Sequence, residues 1–260
     1  MTYDLAFYAS GAFSGALVGF ILALVGGGGS ILATPLIVYL VGVRDPHVAI
    51  GTSALAVGLN ALLGVWGHAR RGNVAWRPAA WFAGAGVLGA LVGSTLGKAF
   101  DGQRLLFLFA ILMIVVGALM LRRRTASDEV GDGRAAPVRT PLFGLGTGIF
   151  SGFFGIGGGF LIVPGLIAAT GMAMIRAIGT SLVAVAAFGL ATAASYAWSG
   201  LIDWTLAAVF VAGGLTGSLA GTALSHRLAQ TDGALRRIFA GLIFAVAAYM
   251  LYKSGTAVFG

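Results

Sequence analysis

Two glycine runs and two copies of a Gly-Thr-Ser motif are the residues here whose types and spacing could do chemistry. The runs are Val25-Gly-Gly-Gly-Gly-Ser30 and Phe154-Gly-Ile-Gly-Gly-Gly159. Glycine reaches backbone angles closed to other residues and leaves its N–H uncovered. Where such a run opens a helix, free N–H groups and the positive end of the helix dipole make a seat for an anion. New helices are expected to open at Ser30 and Phe160. Two such ends would hold a negative charge without a buried lysine or arginine. The competing role is packing, because small residues let membrane helices approach closely.

Gly51-Thr52-Ser53 and Gly179-Thr180-Ser181 fall near helix starts. Their hydroxyls either donate to anionic oxygens or cap and bond back to the helix backbone. Asn60 is the most polar residue deep in an apolar segment, and His68 ends that segment. An asparagine there makes either an interhelical hydrogen bond or a ligand contact. Arg44, His47 and Arg176 lie at segment ends, where they draw anions to a mouth or anchor the interface. The candidate binding set is therefore Gly27, Gly28, Gly29, Ser30, Thr52, Ser53 and Asn60, with Gly157, Gly158, Gly159, Thr180 and Ser181.

Other chemistries fit poorly. Each Gly-Thr-Ser opens like a nucleophile elbow, but Leu55 and Val183 stand where the closing glycine belongs. With 0 cysteines there is no thiolate ligand or nucleophile, and no His pair has metal spacing. Neither an enzyme nor a cofactor is expected. No Asp, Glu, Lys or Arg stands mid-segment, which argues against a carboxylate proton relay.

The elements that must position these residues are membrane helices. The chain is 58% hydrophobic and 9% charged, against about 25% charged in a soluble domain. Apolar segments run at about 5–25, 30–43, 48–67, 79–98, 104–121, 141–154, 160–173, 175–198, 204–224 and 237–253. Several reach the length of a membrane span. The net charge of +8 lies in short basic clusters between segments. That pattern marks cytoplasmic loops, so nucleic acid is not expected as a partner. The acidic start Met1-Thr-Tyr-Asp4 gives no secretory signal.

The chain reads as a duplication. The two glycine runs, Pro35 and Pro164, Ala49-Ile-Gly-Thr-Ser53 and Ala177-Ile-Gly-Thr-Ser181, and Gly72-Asn-Val-Ala-Trp76 and Gly200-Leu-Ile-Asp-Trp204 all pair 128 or 129 residues apart. A polar stretch, Arg122 to Pro137, parts them. The divisions are a first repeat at 1–121, a linker at 122–140 and a second repeat at 141–260.

Charge then decides the topology. If each glycine run is a turn, one face collects Arg70, Arg71, Arg77, Arg122, Arg123, Arg124, Arg134, Arg139, Arg176, Arg227, Arg236 and Arg237. The other collects only Arg44, Lys98, Arg104 and Lys253. If each run lies inside one span, the bias nearly vanishes. Five segments per half follow, with both termini outside and the central loop in the cytoplasm. An odd count inverts the second repeat. The expected fold is all-α and polytopic, each repeat a glycine-broken helical hairpin plus three spanning helices. The segments beside the second run, about 14 residues or roughly 21 Å each, are short of the membrane core. A hairpin that dips in and returns fits them as well as a full crossing.

The glycine run opening a helix, the proline a few residues on, the Gly-Thr-Ser motif and the repeat of all three resemble the TauE/SafE family over about residues 8–255. The resemblance implies an inner-membrane exporter of sulfite, sulfoacetate or related organosulfonates. Such a compact anion suits the seat argued above. The expected partners are that anion and the lipid bilayer, with a second copy of the chain admitted. A passive anion channel and a non-transporting membrane subunit are the alternatives.

Overall fold

A backbone surrounded by lipid must satisfy its polar groups within itself, and an unbroken helix does so. The computed structural model describes residues 4–122, 138–155, 159–228 and 232–259, and is helical nearly throughout them. In the first half α1 spans Leu5–Val25 and α2 Ala33–Pro35, followed by α3 Pro46–Ala69, α4 Trp76–Ala99 and α5 Gly102–Arg122. The second half holds α6 Arg139–Phe154, α7 Gly159–Thr170, α8 Met174–Trp198, α9 Trp204–Leu228 and α10 Asp232–Phe259. Among the described residues, five helices are long and apolar enough to cross a membrane: 5–23, 46–69, 76–99, 175–198 and 204–221. Exposed Leu88, Val92, Leu96, Ile111 and Leu219 would face water in a soluble protein and face lipid here. The chain is a multi-pass membrane protein.

The first glycine run is a reversal. Gly26–Leu32 winds as a 3₁₀ helix, tighter than an α-helix. A methyl on Gly29 would overlap the backbone nitrogen of Leu22. Residues seven apart in a straight α-helix stand about 10 Å apart along its axis, so the chain has folded back on α1. The return leg does not open at Ser30 as expected. Three α-helical residues precede a π-helix at Leu36–Val41, which ends at the left-handed Gly42. Pro35 explains the widening, since it offers no N–H and crowds the carbonyl four residues back. The second run breaks at Gly155, left-handed at φ 64°, and α7 resumes at Gly159. Gly157 and Gly158 lie outside the described residues.

Glycine contacts fix the helix directions. Along α1 and α9, Gly15 meets the carbonyl of Phe210, Gly19 that of Gly214, and Gly217 that of Ala16. The numbers rise together, so α1 and α9 run parallel. Gly144, Gly148 and Gly152 of α6 meet the carbonyls of Phe82, Gly86 and Ala90 in the same way, so α4 and α6 are parallel. Between α3 and α8 the numbers oppose: Gly51 meets Tyr196, Gly58 meets Leu190 and Gly64 meets Leu182. These helices are antiparallel. All three pairings hold together only if each glycine run reverses the chain. In the parallel pairs each added methyl would overlap a backbone carbonyl, so the spacing of the glycines sets helix separation.

Candidate functional site

The Gly-Thr-Ser motifs sit in the first third of α3 and α8, the central pair. Thr52, Ser53, Thr180 and Ser181 are all buried. Both threonine hydroxyls are engaged across the molecule. Thr52 Oγ1 accepts from Asp203 N at 3.0 Å, and Thr180 Oγ1 accepts from Ala75 N at 3.0 Å. The donors precede α9 and α4, so each threonine ties the start of its central helix to the turn after the other. Neither bond runs back into the threonine's own helix, and each hydroxyl keeps its proton to donate. Thr52→Val and Thr180→Val should each cost about 1–3 kcal/mol, the cost of stranding an N–H that is part-buried at Asp203 and buried at Ala75. Thermal unfolding of the two variants should show similar losses; Thr147→Val, whose bonds stay within α6, should lose under about 0.5 kcal/mol.

The serines differ. Ser53 Oγ lies 2.8 Å from Thr34 Oγ1, 2.9 Å from the carbonyl oxygen of Ile50 and 3.5 Å from that of Gly155. One hydroxyl proton cannot serve both carbonyls; with it on Ile50, Thr34 donates to Ser53. Ser53 thus stands between the return leg of the first hairpin and the turn of the second. Ile50 seals the same junction, since its Cγ2 fills the space that a Cβ on Gly155 would take. Ser181 Oγ donates to Ile178 O at 2.7 Å, the counterpart of the Ser53 bond to Ile50. The position equivalent to Thr34 is Val163, which offers no hydroxyl.

The two hairpins meet. The 26–32 turn packs on α7 and on α8 as well as on α1. Gly28, Gly29 and Ser30 are buried in that turn. The helix opening at the first run is too short to carry the dipole expected of it, because α2 holds only three residues before the winding widens. Gly159 begins α7, a helix of 12 residues. Asn60 is 1% exposed, and among the described residues neither polar atom of its amide has a hydrogen-bond partner. Thr34 and Gly155 are the residues here that sequence reasoning missed. A threonine one position before Pro35 was the available signal for the first.

A family model described as "Sulfite exporter TauE/SafE" matches residues 11–250. The chain belongs to the TauE/SafE family. A relative from Xylella fastidiosa, named "Probable membrane transporter protein", is 52% identical over 244 residues, covering 93% of this chain and 94% of its own. YjnA of Bacillus subtilis, named likewise, is 30% identical over 252 residues, with 90% and 94% covered. YdhB of the same organism is 24% identical over 214 residues, with 81% and 87% covered. No solved structure matches the chain. Membership extends over both glycine runs and both Gly-Thr-Ser motifs, so the TauE/SafE match covers the whole candidate site.

Proposed function

We propose that this protein exports small sulfur-containing anions, such as sulfite or sulfoacetate, across the inner membrane by alternating access. The observation that carries the reading is the junction at Ser53, where Thr34 of one glycine-turned hairpin and Gly155 of the other come to one hydroxyl. A sulfite or sulfonate has three acceptor oxygens, which suit hydroxyl and backbone N–H donors. The seat is formed by Gly27, Gly28, Gly29, Ser30, Thr52 and Ser53 of the first repeat, with Gly157, Gly158, Gly159, Thr180 and Ser181 of the second. The antiparallel run of α3 and α8, equivalent helices of the two halves, supports inverted repeats that rock about this seat. The termini face outward and the central loop lies in the cytoplasm.

Radiolabelled sulfite and sulfoacetate in proteoliposomes test the reading. Saturable flux with counterflow is expected. Unsaturable flux carried as a high unitary current would make the protein a channel instead, and an absence of flux for both anions would end the proposal. Ser53→Ala is expected to cut flux at least tenfold at unchanged membrane abundance, and Ser181→Ala to cut it less, because Ser181 bridges no second hairpin.

A further inference from the structure

The central pair α3 and α8 ends differently at its two faces. Thr180 of α8 accepts from Ala75 N, and a methyl on Gly179 would overlap the carbonyl of Asn73. The turn after α3 therefore crosses the first turns of α8. Arg176 precedes Thr180 by one turn on the same side of α8, about 6 Å along the axis. The crossing turn carries Arg70 and Arg71 where it leaves α3, and Arg77 lies just inside α4. All four arginines are exposed. Arg70 is steadied by Trp66, its guanidinium 4.6 Å from the ring centroid.

The duplication supplies the comparison. At the other end Val48 answers Arg176, one turn before Thr52, while Trp198, Ser199 and Thr205 answer Arg70, Arg71 and Arg77. Asp203 answers Ala75. One mouth thus has four cations where the other has none and gains a carboxylate. A cation that does lie at that other end, Lys98, donates at 2.9 Å to Ser195 O and at 2.9 Å to Ser199 Oγ. There it offsets the negative end of the α8 dipole.

Arg176 stands against local preference. α8 opens after Ala173 with no side-chain cap and no acidic residue in its first turn. A cation there opposes the dipole, and forgoes the roughly 0.3–1 kcal/mol that a helix end gives a well-placed charge. Among the described residues Arg176 has no ion pair or hydrogen bond to offset this. Arg122, Arg123 and Arg124 already put positive charge on this face for topology. A residue that breaks a local rule without compensation points to function.

We infer that Arg70, Arg71, Arg77 and Arg176 form an anion-collecting vestibule, and that the seat is loaded from the face that carries it. The inference rests on the transport reading above and adds the loading side. Converging cations raise the local concentration of an anion and its rate of arrival. They select by charge rather than by shape, so discrimination among oxyanions stays with the seat one turn further in.

Radiolabelled sulfite flux in proteoliposomes tests this, with KM read separately at each face. The chain has 0 cysteines, so Ser127→Cys in the linker reports orientation by labelling, and all variants are made in that background. The native KM should be lower at the arginine face. It should rise about threefold or more there as potassium gluconate goes from about 0.01 to 0.15 M, which shortens the screening length from about 30 to 8 Å. Arg176→Gln should raise KM at that face about threefold, and glutamine at all four positions about tenfold, with the salt dependence gone and orientation unchanged. The native salt dependence carries the test if the fourfold variant does not accumulate. A KM at the arginine face that ignores both salt and the substitutions, in a chain that transports sulfite, overturns the vestibule and leaves the transport reading standing. Inverted orientation of the glutamine variants assigns the arginines to topology and also overturns it. A native chain without flux removes both.

Discussion

Gly217→Leu and Gly152→Leu should each lower the unfolding midpoint by roughly 10 °C or more. A side chain at Gly217 runs into the Ala16 carbonyl of α1, and one at Gly152 into the Ala90 carbonyl of α4. A carbonyl in the middle of a helix cannot rotate away without losing its own hydrogen bond. The parallel pair must therefore separate along its length, because the neighbouring rungs at Gly15, Gly19 and Gly213, or at Gly144 and Gly148, are as close. Overpacking a well-filled core costs about 1–3 kcal/mol and more where nothing yields. A loss of about 3 kcal/mol lowers the unfolding midpoint by roughly 10 °C in a chain of this size. Gly84→Leu and Gly146→Leu are the controls. They lie on α4 and α6 with nothing among the described residues within 4 Å of an added Cβ, so their midpoints should hold or rise with the gain in helix propensity. Unfolding followed by fluorescence, together with the monodisperse fraction on size exclusion, reads both sets.

The second large effect is expected at Gly155. Alanine there meets two obstacles. Its φ of 64° lies in the left-handed region, which costs a residue with a Cβ roughly 1–2 kcal/mol. Its Cβ would also overlap Ile50 Cγ2. Relief of that overlap moves the turn of the second hairpin away from α3, and with it the Gly155 carbonyl near Ser53. Sulfite flux should fall below a tenth of native for Gly155→Ala. Gly200→Ala isolates the backbone cost, for Gly200 is left-handed at φ 69° with open space around it; that variant should lose about 1 kcal/mol of stability and keep its flux. Ile50→Ala combined with Gly155→Ala should recover part of the loss, since it clears the overlap but not the strained angle.

Much of this was legible from residue order. The apolar segment read at 104–121 is the helix Gly102–Arg122, and the one at 204–224 is Trp204–Leu228. Charge asymmetry chose five segments per half, and the antiparallel α3 and α8 taken with the parallel α1 and α9 require a reversal at each glycine run. The first hairpin was legible as a turn but not in its winding. A run of four glycines carries no side-chain pattern to tell a 3₁₀ coil from an open loop, and Pro35 alone does not announce a π-helix. Hence the helix expected at Ser30 gave way to three α-helical residues beginning at Ala33.

The fate of the hydroxyls was least legible. Thr52 and Thr180 looked like donors or helix caps because spacing along a chain shows only local partners. Their partners, Asp203 N and Ala75 N, lie 151 and 105 residues away in sequence. The repeat held a clue that spacing alone did not expose: Thr52 and Thr180, like Ala75 and Asp203, are equivalent positions, so one cross-tie implies the other. Ser53 and Ser181 looked alike in sequence and are not. Only Ser53 has Thr34 beside it, and that difference lies in the hairpin rather than in the motif.

A cryo-electron microscopy map of the protein in lipid nanodiscs at saturating sulfoacetate tests the central claim most directly. The expected map shows the chain reversing at 26–32 and again just after Gly155, with sulfonate density between the two turns and within hydrogen-bond reach of Ser53. Unbroken straight helix through 20–35 and 149–164, or sulfonate density only at a membrane surface, would contradict it.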